Sequence, residues 1–267
     1  MRFFKDMLLI GVKEVKGYYR WKLNYFWDMI YPVLDLVLFV TVWYAIFQGG
    51  FQSVGILNKE NFIGFLLSGI LAFQFIYSPL SSEFTQSFIR EKYRRTLQNL
   101  LISPISRTSI PYGKSLLSLV RSTYSTVILI IFSALFLGFN LTGNFILGIF
   151  LFLLTFVSFS GLGLILASLG AWREDIASLS WLISYILEIS SGVYYPIEAL
   201  PQNIKEILML IPSTQAVTAA RLIFLKNATF MQVLPHLTYI SIFGIITMCL
   251  AIICFKFVEK KAMLIGI

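Results

Sequence analysis

The sequence predicts an all-α polytopic membrane protein with six transmembrane helices. Of its 267 residues, 58% are hydrophobic and only 13% are charged, whereas a soluble domain is roughly a quarter charged. So few charged side chains cannot coat a water-soluble core of this size. The chain also contains six apolar runs close to the roughly 20 residues that a helix needs to cross a bilayer. Together these observations favour one membrane domain, residues 1–267.

The segment 1–28 precedes the first apolar run and has the pattern of an amphipathic helix. Its cations Lys13, Lys16 and Arg20 lie off the face that carries its apolar residues. Such a helix can lie in the membrane interface with its cations near lipid head groups. We therefore predict an interfacial helix here. Its apolar stripe, repeated at helical spacing, is Phe4, Leu8, Val12, Val15 and Tyr19.

The basic residues predict how the chain is oriented in the membrane. Of the 21 Lys and Arg residues, sixteen lie on one side of the predicted spans and four on the other. Because basic loops are retained in the cytoplasm, both termini are expected there. The predicted spans are 29–48, 62–82, 114–137, 144–170, 176–195 and 236–257.

Two segments that connect predicted spans have helical patterns of apolar residues, which a simple connecting loop would not need. The cytoplasmic loop 83–113 contains REKYRRTLQNLLISPISR, in which leucines alternate with basic and amide residues. An ordered apolar stripe of this kind needs a surface to pack against, either the membrane or a partner. The external segment 196–235 contains two helical patterns too short to span the bilayer. We predict a re-entrant helical hairpin there, packed on protein or lining a cavity.

Three charged residues are expected at membrane depth: Asp35, Arg121 and Glu188. Such residues are costly in lipid and usually face the bundle interior, a partner or water. We expect Arg121 to reach the inner head groups and to pair with Asp35, which should lie at a similar depth. Glu188 is too deep to reach a head group, and we interpret it as part of a polar path.

The common catalytic and nucleotide-binding patterns are absent from the sequence. There is no G-x-x-x-x-G-K-[ST] phosphate loop and no H-E-x-x-H motif. The single histidine and the cysteines Cys249 and Cys254 do not form a metal-binding pattern. We therefore expect no catalytic residue, cofactor or metal on this chain. An intramembrane enzyme that uses Asp35 and Glu188 on a lipid substrate is the alternative hypothesis.

The net charge of +8 does not indicate a nucleic-acid partner. The basic residues cluster beside apolar spans, where membrane topology and anionic lipid explain them. We expect membrane lipid, and no nucleic acid, among the partners of this chain.

The cytoplasmic motif RRTLQNLLISPISR and the external motif SSGVYYPIEALPQ lie on opposite sides of the predicted membrane. Together they resemble the motifs of type-2 ABC transporter permeases. The agreement in spans, N-terminal helix and hairpin covers nearly the whole chain. Arg95 and Gln98 stand where that family often has Gly and Glu. The cytoplasmic motif RRTLQNLLISPISR matches through Thr96, Leu97, Leu100, Leu101, Ser103, Pro104 and Arg107. The external motif SSGVYYPIEALPQ matches through Ser191, Gly192, Tyr195, Pro196, Leu200 and Pro201.

The resemblance implies a permease that is powered from outside its own chain. Two copies of this chain would form a pore in the inner membrane of a prokaryote, and two separate ABC ATPase subunits would hold the ATP and Mg. The residues that would couple to the ATPase are Arg94, Arg95, Thr96, Leu97, Gln98, Leu100 and Leu101, with a second contact at Trp172, Arg173, Glu174 and Asp175.

The resemblance also implies that the first and fifth spans face a central path for an amphipathic substrate that leaves the cytoplasm. A lipid-linked glycan, a lipo-oligosaccharide and a hydrophobic drug are the substrate classes it allows. The motifs are most similar to the drug and lipo-oligosaccharide branch, and the polysaccharide branch stays open. A membrane scaffold that transports nothing is a further hypothesis. The implied path residues are Trp43, Tyr44, Phe47, Tyr185, Glu188, Tyr194 and Tyr195.

Overall fold

The structure is a computed structural model that describes residues 2–20, 22–50, 53, 55, 57–81, 85, 109–139, 141–172 and 176–265. Within these ranges the chain is helical and contains no β-strand. A short 3₁₀ turn, Ser78–Leu80, extends the third helix, and a second, Ile197–Ala199, follows the sixth. The helices are α1 (Arg2–Tyr18), α2 (Lys22–Gln48), α3 (Phe62–Tyr77), α4 (Ser109–Phe136), α5 (Phe145–Trp172), α6 (Ile176–Ser190), α7 (Gln202–Met209), α8 (Pro212–Lys226) and α9 (Phe230–Ile265).

Five helices in the described part of the chain are long and apolar enough to cross a membrane. They confirm five of the six predicted spans, with shifts of a few residues at their ends. The apolar segments are Phe26–Gln48, Phe62–Leu80, Ser109–Phe136, Phe145–Gly170 and Phe230–Phe257.

The predicted fifth span, 176–195, is a shorter helix than expected. Helix α6 has 15 residues and is therefore about 22 Å long, less than the roughly 30 Å of a hydrocarbon core. It stops at Ser190 because Gly192 adopts a left-handed φ of 69° and Pro196 cannot continue a helix. The residues 191–196 instead form an irregular loop at the end of α6.

Helices α7 and α8 form a sharply bent pair within the predicted external hairpin. Their axes differ by 93°, which fits either one broken span or a re-entrant loop. Helix α7 buries none of its residues, whereas the small residues of α8 let it pack closely on α3. Asn227 ends α8 in the left-handed conformation, and α9 begins at Phe230, earlier than the predicted start at 236.

The most extensive helix pair is α5 with α9, and small residues bring the two helices together. A Cβ at Gly161 would lie 2.7 Å from the backbone carbon of Thr247. The Thr247 hydroxyl donates a hydrogen bond to the Ser158 carbonyl oxygen at 3.1 Å. Four small residues of α5 are all buried: Ser160, Gly163, Ala167 and Gly170.

Helix α1 packs along α4, where Gly11 and Gly113 allow close approach. A Cβ at Gly113 would lie 2.6 Å from the Ile10 Cβ. The apolar stripe predicted for α1 faces away from α4: Val15 is half-buried, and the other four residues are exposed. That stripe is available to membrane lipid, and its interfacial placement stays a prediction.

Candidate functional site

A cavity of about 570 Å³ lies among α2, α3, α4 and α6. Its charged lining residues in the described part of the chain are Asp28, Asp35, Arg121 and Glu188. Aromatic side chains from α2, α6 and the following loop complete much of its wall. Because α2, α3 and α4 are apolar helices of membrane-spanning length, this cavity brings charged groups to membrane depth. Its aromatic lining residues are Trp27, Tyr31, Phe73, Tyr77, Tyr124, Trp181, Tyr185 and Tyr194.

One end of the cavity contains an ion pair between Arg121 and Asp28. The Tyr18 hydroxyl also donates a hydrogen bond to Asp28, and the guanidinium carbon of Arg121 lies 5.3 Å from the centre of the Tyr18 ring. The predicted pairing of Arg121 with Asp35 is therefore wrong. Asp28 lies just outside the predicted first span, but α2 begins at Lys22 and carries Asp28 into the helix bundle.

The other end of the cavity holds Asp35 and Glu188 on either side of one phenol. The Tyr194 hydroxyl lies 3.0 Å from Asp35 Oδ2 and 2.5 Å from Glu188 Oε1. Its ring stacks on Phe39, with ring centres 3.7 Å apart and planes 14° from parallel. Tyr194 thus contacts α2 through both its ring and its hydroxyl, and α6 through its hydroxyl. We call Asp35, Glu188 and Tyr194 the carboxyl–phenol cluster.

The loop that carries Tyr194 is fixed by hydrogen bonds to its backbone. Arg221 Nη2 donates to the Gly192 and Val193 carbonyl oxygens at 2.7 and 3.0 Å. Trp43 Nε1 donates to the Tyr194 carbonyl oxygen at 2.8 Å. The external motif SSGVYYPIEALPQ therefore includes the loop that positions the carboxyl–phenol cluster.

Arg221 is the site residue that sequence reasoning missed. It is one of the four basic residues on the external side of the predicted spans, but it is 4% exposed and its guanidinium carbon lies 3.4 Å from the centre of the Phe65 ring. The signal was present in the sequence, because the arginine of TAARLIF stands among small and apolar residues on one short helix. A cation in such a run needs carbonyl or aromatic partners inside the protein.

The structure places five of the seven predicted path residues in two groups. Tyr185, Glu188 and Tyr194 line the cavity. Trp43 and Phe47 are instead buried in the hydrophobic core of the chain, where their ring centres lie 5.8 Å apart. Outside both groups, Tyr44 is exposed and Tyr195 is half-buried.

The predicted coupling contacts cannot be placed in the fold. Trp172 is the last residue of α5, and its side chain is not among those described. The other coupling residues lie outside the described residues, and their role stays a prediction: Arg94, Arg95, Thr96, Leu97, Gln98, Leu100, Leu101, Arg173, Glu174 and Asp175.

Comparison with known proteins identifies the family. A profile of the ABC-2 type transporter family matches residues 6–225. The inner membrane transport permease YhhJ of Escherichia coli (strain K12) is 30% identical in an alignment 166 residues long that covers 59% of this chain and 43% of that protein. The probable multidrug ABC transporter permease YbhR of the same strain is 24% identical over 143 residues, which are 54% of this chain and 39% of that protein.

The chain thus aligns with less than half the length of these curated relatives. The family profile nevertheless covers most of the chain, from the second turn of α1 to the end of α8. On that match, this chain belongs to the ABC-2 type transporter family of membrane permeases.

Proposed function

We propose that this chain is the permease subunit of an ABC exporter, working as two identical copies with two separate ATPase subunits. Family membership supports the transport role. The observation that carries the proposal is the cavity of about 570 Å³, whose charged and aromatic wall lies among apolar helices of spanning length. A cavity of this size and character suits a drug-sized molecule, since ligand pockets typically enclose about 300–1,000 Å³.

The energy for transport would enter through the cytoplasmic loop 83–113. ATP and Mg would bind the partner subunit, so the partner must favour one conformation of the permease over another. We propose that Leu97, Leu100 and Leu101 insert into a groove on the ATPase, with Arg94 and Arg95 at its polar rim. The segment 172–175 would make a second, smaller contact.

Substitution of two of these leucines tests the coupling contact. The Leu97→Asp, Leu100→Asp variant should fail to retain the ATPase, because a carboxylate buried in an apolar groove is costly. The measurement is co-purification from cells that express this chain with candidate ABC ATPases of the same genome. Asn99→Asp is the matched control, since on a helix Asn99 lies on the face opposite the leucines. Equal ATPase recovery with all variants would contradict the docking role.

The transported substrate would be an amphipathic molecule that leaves the cytoplasm. Tyr185, Glu188 and Tyr194 combine aromatic and charged groups on one cavity wall. The name of YbhR describes that protein as a probable multidrug permease, which supports an apolar drug as one substrate class. Lipid-linked glycans and lipo-oligosaccharides are the other classes we propose.

An intramembrane enzyme is a second candidate function, favoured by the hydrogen bonds that bring Asp35 and Glu188 to one hydroxyl. Paired carboxyl groups can act as a general acid and a general base. The test is to incubate the purified chain, without any ATPase, with lipid extract of its host and to follow product formation by mass spectrometry. Turnover by the wild type that disappears in Glu188→Gln would favour the enzyme. No turnover by the folded wild-type chain would contradict it.

A further inference from the structure

The carboxyl–phenol cluster has more acceptors than donors. Among the described residues, the Tyr194 hydroxyl is the donor to both the Asp35 and the Glu188 carboxylates, and it carries only one hydrogen. It can donate fully to one carboxylate at a time. When both groups are ionised, one carboxylate lacks a full hydrogen bond, and a further positive or hydrogen-donating partner would stabilise it.

The arginine of the cavity does not supply that partner. Arg121 is paired with Asp28, which lies seven residues before Asp35 on α2. Seven helical residues correspond to two turns, or about 10 Å along the helix axis. Among the described lining residues, the cavity therefore holds three carboxyl groups and one guanidinium. The unbalanced negative charge belongs to the end that contains the cluster.

Other residues that line the cavity also indicate that a ligand could bind there. Among the described residues, the hydroxyls of Ser78, Ser81 and Ser125 have no hydrogen-bond partner, although these residues are only 3%, 7% and 6% exposed. Both polar atoms of the Gln74 side chain are also buried and find no partner in the same part of the chain. Because buried polar groups are normally hydrogen-bonded, this wall is suited to water or to a polar ligand.

The rest of the lining favours an organic cation over a metal ion. Trp181 and Tyr185 are stacked, with ring centres 5.7 Å apart and planes 4° from parallel, and aromatic faces attract organic cations. Ile70 and Phe73 add apolar surface. Hard metal ions instead need six or more oxygen ligands, and the described residues contain no cluster of three or more Asp, Glu, His or Cys side chains suited to a metal.

We propose that the cavity binds an apolar organic cation, with its positive centre at Asp35 and Glu188 and its apolar groups against the aromatic wall. This inference rests on the proposed transport function, because it names the substrate class of that cavity. The paired Arg121 and Asp28 add no net charge at the other end, so selectivity for cations comes from the carboxyl–phenol cluster.

Two ions of nearly equal shape and opposite charge test the inference. The full chain is placed in nanodiscs of zwitterionic lipid, and binding of radiolabelled tetraphenylphosphonium is measured by scintillation proximity. Tetraphenylborate serves as the anionic competitor. We expect saturable binding of the cation and no competition by the anion. Asp35→Asn and Glu188→Gln should each weaken binding at least tenfold, because each removes a carboxylate from the cation's position.

The control is Glu60→Gln, which removes an exposed carboxylate far along the chain from the cluster and should bind like the wild type. Ser125→Leu is an independent test that does not depend on the folding of the carboxyl variants. It fills the cavity and leaves both carboxyl groups in place. It should also weaken binding. Elution volume and melting temperature establish that each variant is folded.

Undiminished binding in folded Asp35→Asn and Glu188→Gln would overturn the inference, as would equal competition by tetraphenylborate or absence of saturable cation binding. These results concern the chain without its ATPase. They would leave the Leu97 and Leu100 coupling test intact, and failure of that test would leave cation binding intact. The two proposals can therefore fail separately.

Discussion

At the scale of single residues, Arg221 has a larger structural role than its place in a short external helix predicts. Its guanidinium joins α8 to the loop after α6 through two carbonyl oxygens and lies on the Phe65 ring of α3. The same loop carries Tyr194. A side chain that touches neither the cavity nor its carboxyl groups therefore holds the carboxyl–phenol cluster in place.

Arg221→Met should destabilise the protein. The buried carbonyls of Gly192 and Val193 would lose their donor, at a cost of about 1–3 kcal/mol for each group. The measurement is the melting temperature in detergent, followed by intrinsic fluorescence. Lys226→Met removes an exposed cation from the end of the same helix and should change the melting temperature little. Equal melting of both variants would contradict the proposed role of Arg221.

Gly69→Ala should also be destabilising, although alanine normally favours a helix by about 0.5–1 kcal/mol over glycine. A Cβ at Gly69 would lie 2.9 Å from the Val193 carbonyl oxygen and 3.2 Å from Arg221 Nη2. We expect a net loss of about 1–3 kcal/mol, as for other overpacked sites. Gly17→Ala is the matched control because its Cβ would meet nothing within 4 Å. A Gly69→Ala variant that melts at or above the wild-type temperature would show that the loop can move away.

Residue-level contacts were the least predictable part of the site. The apolar run of the first span starts after Asp28, so the sequence pattern does not indicate Asp28 as the partner of Arg121. Asp35 and Tyr194 are 159 residues apart in the chain, and no local pattern reports a contact at that separation. That Asp35 and Glu188 lie on apolar helices was predictable, because a carboxylate within an apolar run is visible in the sequence. That both carboxyl groups contact the Tyr194 hydroxyl could be seen only in the folded structure.

At the scale of elements, hydrophobic length predicted the five long helices and failed where glycine and proline shorten a span. The run 176–195 is apolar enough to suggest a full crossing, but Gly192 and Pro196 end α6 early. The resulting loop exposes backbone carbonyls that α8 and Trp43 then bind. The predicted hairpin explains why such an irregular backbone is tolerated, since α8 covers it inside the protein.

The close contact of α5 and α9 predicts sensitivity to a single methyl group. A Cβ at Gly244 would lie 2.6 Å from Ser158 Oγ and 2.9 Å from Ser158 Cα, so Gly244→Ala should push the helices apart. Helix association in membranes depends on this packing, because lipid provides no hydrophobic driving force between helices. We expect a lower melting temperature than for Ile245→Ala, which truncates the neighbouring exposed side chain. The opposite order would indicate that α9 shifts without loss of packing.

At the scale of the whole molecule, a charged cavity sits inside a protein whose surface is strongly apolar. Large exposed hydrophobic side chains cover α2, α6 and α9, as expected where lipid or a second copy replaces water. The asymmetry of Lys and Arg is a property of the whole chain that can be read from the sequence without any knowledge of contacts. This asymmetry predicts how the chain is oriented in the membrane. That orientation determines which side of the membrane each end of the cavity faces.

Cysteine labelling tests this orientation. With Cys249 and Cys254 first replaced by alanine, single cysteines are introduced at the exposed positions Lys16, Lys59 and Asn203. In intact spheroplasts, a membrane-impermeant maleimide should label Lys59→Cys and Asn203→Cys, since both are predicted to lie outside. Lys16→Cys should react only after the membrane is permeabilised. The reverse pattern would place the basic loop 83–113 outside the cell, where no ATP-driven subunit could reach it, and would refute both the orientation and the coupling mechanism.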